Sequence, residues 1–172
     1  RANEYYRLLL AEMEERVANN EGAVDGEKHR IYWEGMPVWG KLREHSGLFS
    51  SNGVALVAST YCNSWVFDQF DPDQPFVSMA RAYTELFIVR SEPEKEKYIR
   101  DIIESFSIDG IVFHDAKTCP NNSNNRYGLP ERLKADGFVQ TLTINGDLCD
   151  LRCYSDEQSR TAIEAFIEQL SQ

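Results

Sequence analysis

The first segment of the chain places Tyr6, Leu9, Leu10, Met13 and Val17 at three- and four-residue spacing, with Glu4, Glu12, Glu14, Glu15 and Arg16 between them. That period predicts an amphipathic helix whose apolar face packs on a neighbour. Asn19-Asn20-Glu21-Gly22 ends it, and residues 22–26 read as a linker. The expected organisation is an N-terminal helix and linker over 1–26, followed by an α/β domain over 27–172.

From Arg30 onward the pattern changes to short β-branched or aromatic runs separated by polar loops and helical periods, the signature of βαβ units and a parallel sheet. The predicted strands are Arg30–Trp33, Val54–Ser59, Gly110–His114 and Phe138–Ile144. The middle two are apolar enough to be covered on both faces. Ser91, Pro93 and Glu94 form a capping-box start for a helix with Ile99, Ile102, Ile103 and Phe106 on one stripe. Ser155 and Gln158 start a last helix with Ile163, Phe166, Ile167 and Leu170 facing the core. Shorter helices are expected from about Val38 to His45, Met79 to Phe87 and Pro130 to Asp136. The fold class is α/β: an open three-layer sandwich with a mainly parallel sheet of about four strands, flanked by helices.

Length agrees with one domain, since 172 residues suffice to bury a single large core. A net charge of -10 argues against nucleic acid, whose phosphates need clustered Lys and Arg. Apolar runs such as Val54 to Ala58 are far shorter than a bilayer span requires, so no membrane is expected. The chain opens at Arg1 without a charged-then-apolar leader, and a piece of a larger intracellular enzyme is expected. Four cysteines are too few for a disulfide framework in a domain of this size, so reduced thiols in a cytoplasm are expected.

Parallel sheets bind ligands beyond the carboxyl ends of their strands. Cys62, Cys119 and Cys149 all follow predicted strands, and thiolates there are favoured ligands for zinc or an iron-sulfur cluster. The alternative is small packed thiols, which is the reading for Cys153, because Cys149 and Cys153 lack a specific metal spacing. Cys119 stands apart, leading into Pro120-Asn121-Asn122-Ser123-Asn124-Asn125, a loop that offers a thiol little reason to pack. His114 is the candidate proton donor, against the blander reading of a hydrogen-bonded core histidine. Asp147 and Asp150 read either as a carboxylate pair or, by preference, as charges stabilising a helix N-terminus, and the same caution covers Glu34. Trp33 and Trp39 either line a cleft or pack in the core. Phosphate-loop and dinucleotide glycine patterns are absent from the sequence, so ATP is not expected on this piece.

Trp33-Glu34-Gly35-Met36-Pro37-Val38-Trp39, Asp109 to His114 leading to Cys119, and Gly146-Asp147-Leu148-Cys149-Asp150-Leu151-Arg152 together resemble the C-terminal half of subunits in the benzoyl-CoA reductase and 2-hydroxyacyl-CoA dehydratase family. Within it, Ser59 to Trp65 and Lys117 to Asn122 look most like the B-subunit of ATP-dependent benzoyl-CoA reductases. The resemblance implies a 4Fe-4S cluster between two α/β domains, with one cysteine from the C-terminal domain, the position Cys119 matches. It also implies reductive dearomatisation of benzoyl-CoA to a dienoyl-CoA, with electrons from reduced ferredoxin and ATP hydrolysed on partner subunits. The family's N-terminal domain with its two ligands lies outside the resemblance, so this chain alone is expected to be inactive. Two rivals stand beside this reading: a 2-hydroxyacyl-CoA dehydratase subunit, and a non-catalytic module that docks partner subunits through its first helix and acidic surface.

Overall fold

A computed structural model describes residues 1–67, 70–119, 128–137 and 139–172. Along the chain run α1 (Ala2–Ala18), β1 (His29–Glu34), α2 (Leu42–Ser51), β2 (Val54–Ser59), α3 (Thr60–Asn63), α4 (Pro75–Thr84), α5 (Glu92–Phe106), β3 (Gly110–Ala116), α6 (Leu129–Ala135), β4 (Gln140–Gly146) and α7 (Asp156–Leu170). All strand pairs are parallel, in the order β2-β1-β3-β4. The α/β class with a flanked parallel sheet of four strands is the expected one.

Two apolar layers sandwich the sheet. On one face Ile31, Trp33, Val112 and Ile144 pack against Phe49 of α2 and Ile163 and Phe166 of α7. On the other, Tyr32, Ile111 and Phe113 meet Ile99, Ile102 and Ile103 of α5 and Leu129 and Leu133 of α6. Alternate residues of one strand point to opposite faces, which sends Trp33 to one layer and Tyr32 and Glu34 to the other. The step from β1 to β2 carries α2 on the first face, and the opposite steps through β3 to β4 carry α5 and α6 on the second. That placement gives all three crossovers one hand, as parallel sheets require.

Several boundaries depart from the sequence pattern. The helix expected from Val38 begins at Leu42 and runs on to Ser51. Val38 is extended and fully buried, and the Trp39 N–H donates to the Leu148 carbonyl at 3.0 Å, so this stretch serves as a strap to the β4 loop. α4 starts at Pro75, whose fixed φ suits a first helical turn, and stops at Thr84, short of Phe87. β4 is shifted towards Gly146, while Phe138 lies outside the described residues. Ser91 occupies the cap position of α5 without a side-chain capping bond, whereas the Ser155 hydroxyl accepts from the Gln158 N–H in α7. β2, expected to be covered on both faces, is an edge strand with Leu56 48% exposed, and β1 takes a central place instead. Every residue of α1 is exposed, including the whole Tyr6–Val17 stripe.

Gly110 shows how closely α7 lies on the sheet. A Cβ there would sit 2.5 Å from Phe166 Cζ and 2.8 Å from Leu170 Cδ2. Gly110→Ala is therefore expected to push α7 outward and cost about 1–3 kcal/mol, read as a lower denaturation midpoint with an unchanged slope. Unchanged stability would mean that α7 is loosely seated.

Candidate functional site at the strand ends

The chain leaves β1 towards β2 on one side and leaves β3 towards β4 on the other, and β1 and β3 are neighbours. Their carboxyl ends therefore form the topological switch point of the sheet, where the diverging connections open a crevice. Two segments meet there: Glu34-Gly35-Met36-Pro37 after β1, and His114 through Cys119 at the end of β3. His114 bridges them, with Nδ1 2.6 Å from the Met36 carbonyl oxygen. Since a carbonyl only accepts, Nδ1 carries the proton in that contact and Nε2 is left as a bare acceptor. The ring is 1% exposed, Nε2 has no hydrogen-bond partner among the described residues, and burial pushes the histidine below its usual pKa. Gly146 makes room for it, since a Cβ there would meet Nε2 at 3.1 Å.

On the opposite face, Glu34 is buried at the end of β1, and the Thr60 hydroxyl donates to its carboxyl group. Thr60 Oγ1 also accepts from the Gly35 N–H at 3.2 Å and lies 2.9 Å from the Tyr32 hydroxyl. Burial raises the pKa of Glu34, against the opposing pull of Thr60, Tyr32, Lys95 and Arg90. This network ties β1 to the first residue after β2. From the sequence alone Glu34 reads as a helix-end charge. The overlooked signal is its register with Tyr32, which turns the carboxyl group inward.

The β3 and β4 ends are joined more tightly still. Ala116 pairs with Gly146, and the Lys117 N–H donates to the Gly146 carbonyl at 3.1 Å. Lys117 Nζ reaches Asp115 at 2.7 Å and Asn145 Oδ1 at 2.9 Å. Asp147, 3% exposed, accepts at Oδ1 from the Thr118 hydroxyl and from the Leu148 N–H, both at 2.5 Å. Its place is thus buried between two loops. Asp150 does behave as a terminal charge: it caps the 3-10 turn Leu151–Cys153, and Arg152 holds its carboxyl at about 2.

Cys119 follows Thr118 and is half-buried, and the residues 120–125 that the sequence marks as a functional loop lie outside the described residues. Cys62, Cys149 and Cys153 are exposed, so the packed-thiol reading fails for them, Cys153 included: turns at the strand ends carry them to the surface. Cys62 lines an apolar cavity of about 510 Å³ between α2 and the uncovered face of β2, together with Trp33, Trp39, His45, Leu56 and Tyr61. Cys153 lines a separate cavity with Asn145 and Tyr154. Among the described residues no three His, Cys, Asp or Glu side chains converge as a metal-ligand group. Among the described residues the donor set offers a cluster no more than single thiolates, and Cys119 lies just beyond the carboxyl end of β3. Among the described residues no helix is long and apolar enough to cross a membrane.

These features define a class: a parallel α/β domain whose candidate chemistry sits on the switch-point loops. The chain belongs to the 2-hydroxyglutaryl-CoA dehydratase, D-component family, whose model matches residues 1–170. It is 26% identical to the B-subunit of benzoyl-CoA reductase from Thauera aromatica over 99% of this chain and 42% of that protein. It is 27% identical to the alpha subunit of lactoyl-CoA dehydratase from Anaerotignum propionicum, over 96% of this chain and 39% of the relative. Against the alpha subunit of (R)-2-hydroxyglutaryl-CoA dehydratase from Acidaminococcus fermentans, identity is 26% over 97% of the chain and 34% of the relative. The chain therefore spans between 34% and 42% of the length of these relatives, each of which is one subunit by name.

Proposed function

We propose that this chain is the C-terminal domain of a cluster-bearing subunit that delivers electrons to a CoA thioester, and that Cys119 is its cluster ligand. The observation that carries the reading is the place of Cys119 in the segment just beyond the carboxyl end of β3 at Ala116, the strand that borders the crevice with β1. A 4Fe-4S cluster, when bound, supplies single electrons at a potential set by its ligands, net charge and solvent access. The chain's own part is to fix that ligand, to close the sheet beneath it with Trp33, Val112 and Ile144, and to hold His114 between the two crevice loops. Proton donation by His114 requires the bare Nε2 to take up a proton inside the fold, and burial opposes that. The remaining ligands come from outside this chain, and the partners in this reading are the other subunits, reduced ferredoxin and the subunits that hydrolyse ATP.

The strand-end segments favour reductive dearomatisation of benzoyl-CoA. The dehydratase relatives, equal in identity, favour elimination of water from a 2-hydroxyacyl-CoA as the second reading. Assay of the full-length complex with reduced ferredoxin and ATP on both thioesters separates them. Turnover of benzoyl-CoA alone is expected. Turnover of only the 2-hydroxyacyl-CoA selects the second reading, and turnover of neither overturns both.

A further inference from the structure

The sheet register sets β3 and β4 side by side up to Ala116 and Gly146, and the residues beyond them are tied together by contacts that neither strand needs for its own pairing. Lys117 is bound through its backbone to Gly146 and through its side chain to Asn145. Thr118 is exposed, yet its hydroxyl is held at 2.5 Å by the buried Asp147 carboxylate, whose other donor is the Leu148 N–H. The next residue is Cys119. Ordering an exposed threonine costs side-chain and backbone entropy, and a buried carboxylate costs desolvation, so the contact must offset both. A hydrogen bond to a charged acceptor is strong enough to do so.

We propose that Asp147 is a positioning residue for Cys119, acting through the Thr118 hydroxyl, and that its buried negative charge makes the group bound at Cys119 harder to reduce. The inference rests on the reading of Cys119 as a cluster ligand. Two physical effects follow from the same contact. The tether fixes the backbone one residue before the thiol, so the ligand arrives pre-oriented. The carboxylate places a full negative charge two residues along the tether from the thiol, and added negative charge near an iron-sulfur cluster favours its oxidised form.

The test uses the full-length subunit in its complex, purified without oxygen, as wild type, Asp147→Asn, Thr118→Val, Thr118→Ser and Cys119→Ser, all checked for folding by circular dichroism. Iron and sulfide content and a redox titration followed by electron paramagnetic resonance are the readouts. Asp147→Asn is expected to retain iron and to titrate at a less negative potential. Thr118→Val, which keeps the carboxylate's charge and loses the tether, is expected to retain iron and to change the line shape, while Thr118→Ser behaves as wild type. If Asp147→Asn titrates as wild type and Thr118→Val keeps the wild-type line shape while Cys119→Ser loses its iron, the positioning role is wrong and the ligand stands. If Cys119→Ser keeps its iron, the ligand reading fails instead. The tether is then judged from the alkylation rate of Cys119 in the full-length, cluster-free protein, mapped by peptide mass. An increase of about tenfold in Thr118→Val is what loss of one hydrogen bond to a charged acceptor allows. An unchanged rate removes the tether as well. Should Asp147→Asn fail to fold, the Thr118→Val and Thr118→Ser pair decides, because that hydroxyl sits on an exposed residue.

Discussion

Cys119→Ser in the full-length protein is expected to lower cluster occupancy at least about a hundredfold while leaving the fold intact. Serine keeps the size of the side chain but offers a hydroxyl in place of a thiolate, and a soft iron-sulfur site depends on the thiolate. Losses of about 10–100-fold already follow removal of groups that merely support a ligand, so loss of the ligand itself should exceed them. Stability should hardly move. Cys119 is half-buried at the end of a strand, and neither core layer includes it. Iron and sulfide analysis with the visible absorption spectrum, set against circular dichroism of the same samples, makes the check. A folded variant with full iron would confine the family relationship to the fold and direct attention to Cys62 or Cys149.

Acid should destabilise this domain in a window set by His45 and His114. His45 lies on α2 against Trp33, with ring centroids 5.5 Å apart, and its Nε2 is 2.7 Å from the Tyr154 hydroxyl. Burial lowers its pKa from 6.5 to about 4, a change that the nearby Glu44 opposes, and burial lowers His114 as well. Between those values the unfolded chain binds a proton that the folded chain refuses. The stabilisation is present above pH 6.5, declines as pH falls, and is gone below about 4. For His45 alone the loss is about 3 kcal/mol. Glu34 acts with the opposite sign at higher pH: its raised pKa means that the folded state holds its proton longer, so stability declines as pH rises from 4.5 towards its folded value. Denaturant titrations of this chain at intervals from pH 4 to 7 should show a steep loss on acidification, flattened in His45→Gln, which cannot titrate yet can still face Tyr154. Parallel curves for the two proteins would show that His45 keeps an ordinary pKa in the fold.

The two halves of the candidate site differ in how far the chain announces them. Cys119 stands out in the sequence because a run of asparagines offers a thiol little reason to pack. Asp147 does not, because an aspartate ahead of a helical period looks the same whether it faces solvent or a neighbouring loop. Glu34 was hidden for a related reason: its inward direction depends on where β1 lies in the sheet. The thiols of Cys62, Cys149 and Cys153 illustrate the converse, since strand-end turns expose residues whose type suggests burial.

What the sequence alone determined is local: the stripes Ile99-Ile102-Ile103 and Ile163-Phe166, the apolar cores of β1, β2 and β3, and hence a parallel α/β fold. Hydrophobic period is set by 3.6- and 2-residue geometry, so it can be read from a window of a few turns. Strand order, the edge position of β2 and the switch point between β1 and β3 were decided only by tertiary structure. So were the Met36–His114 and Thr118–Asp147 contacts, made across 78 and 29 residues of chain. Such contacts depend on which crossover packs on which face, a long-range choice that the pattern of any one segment leaves open.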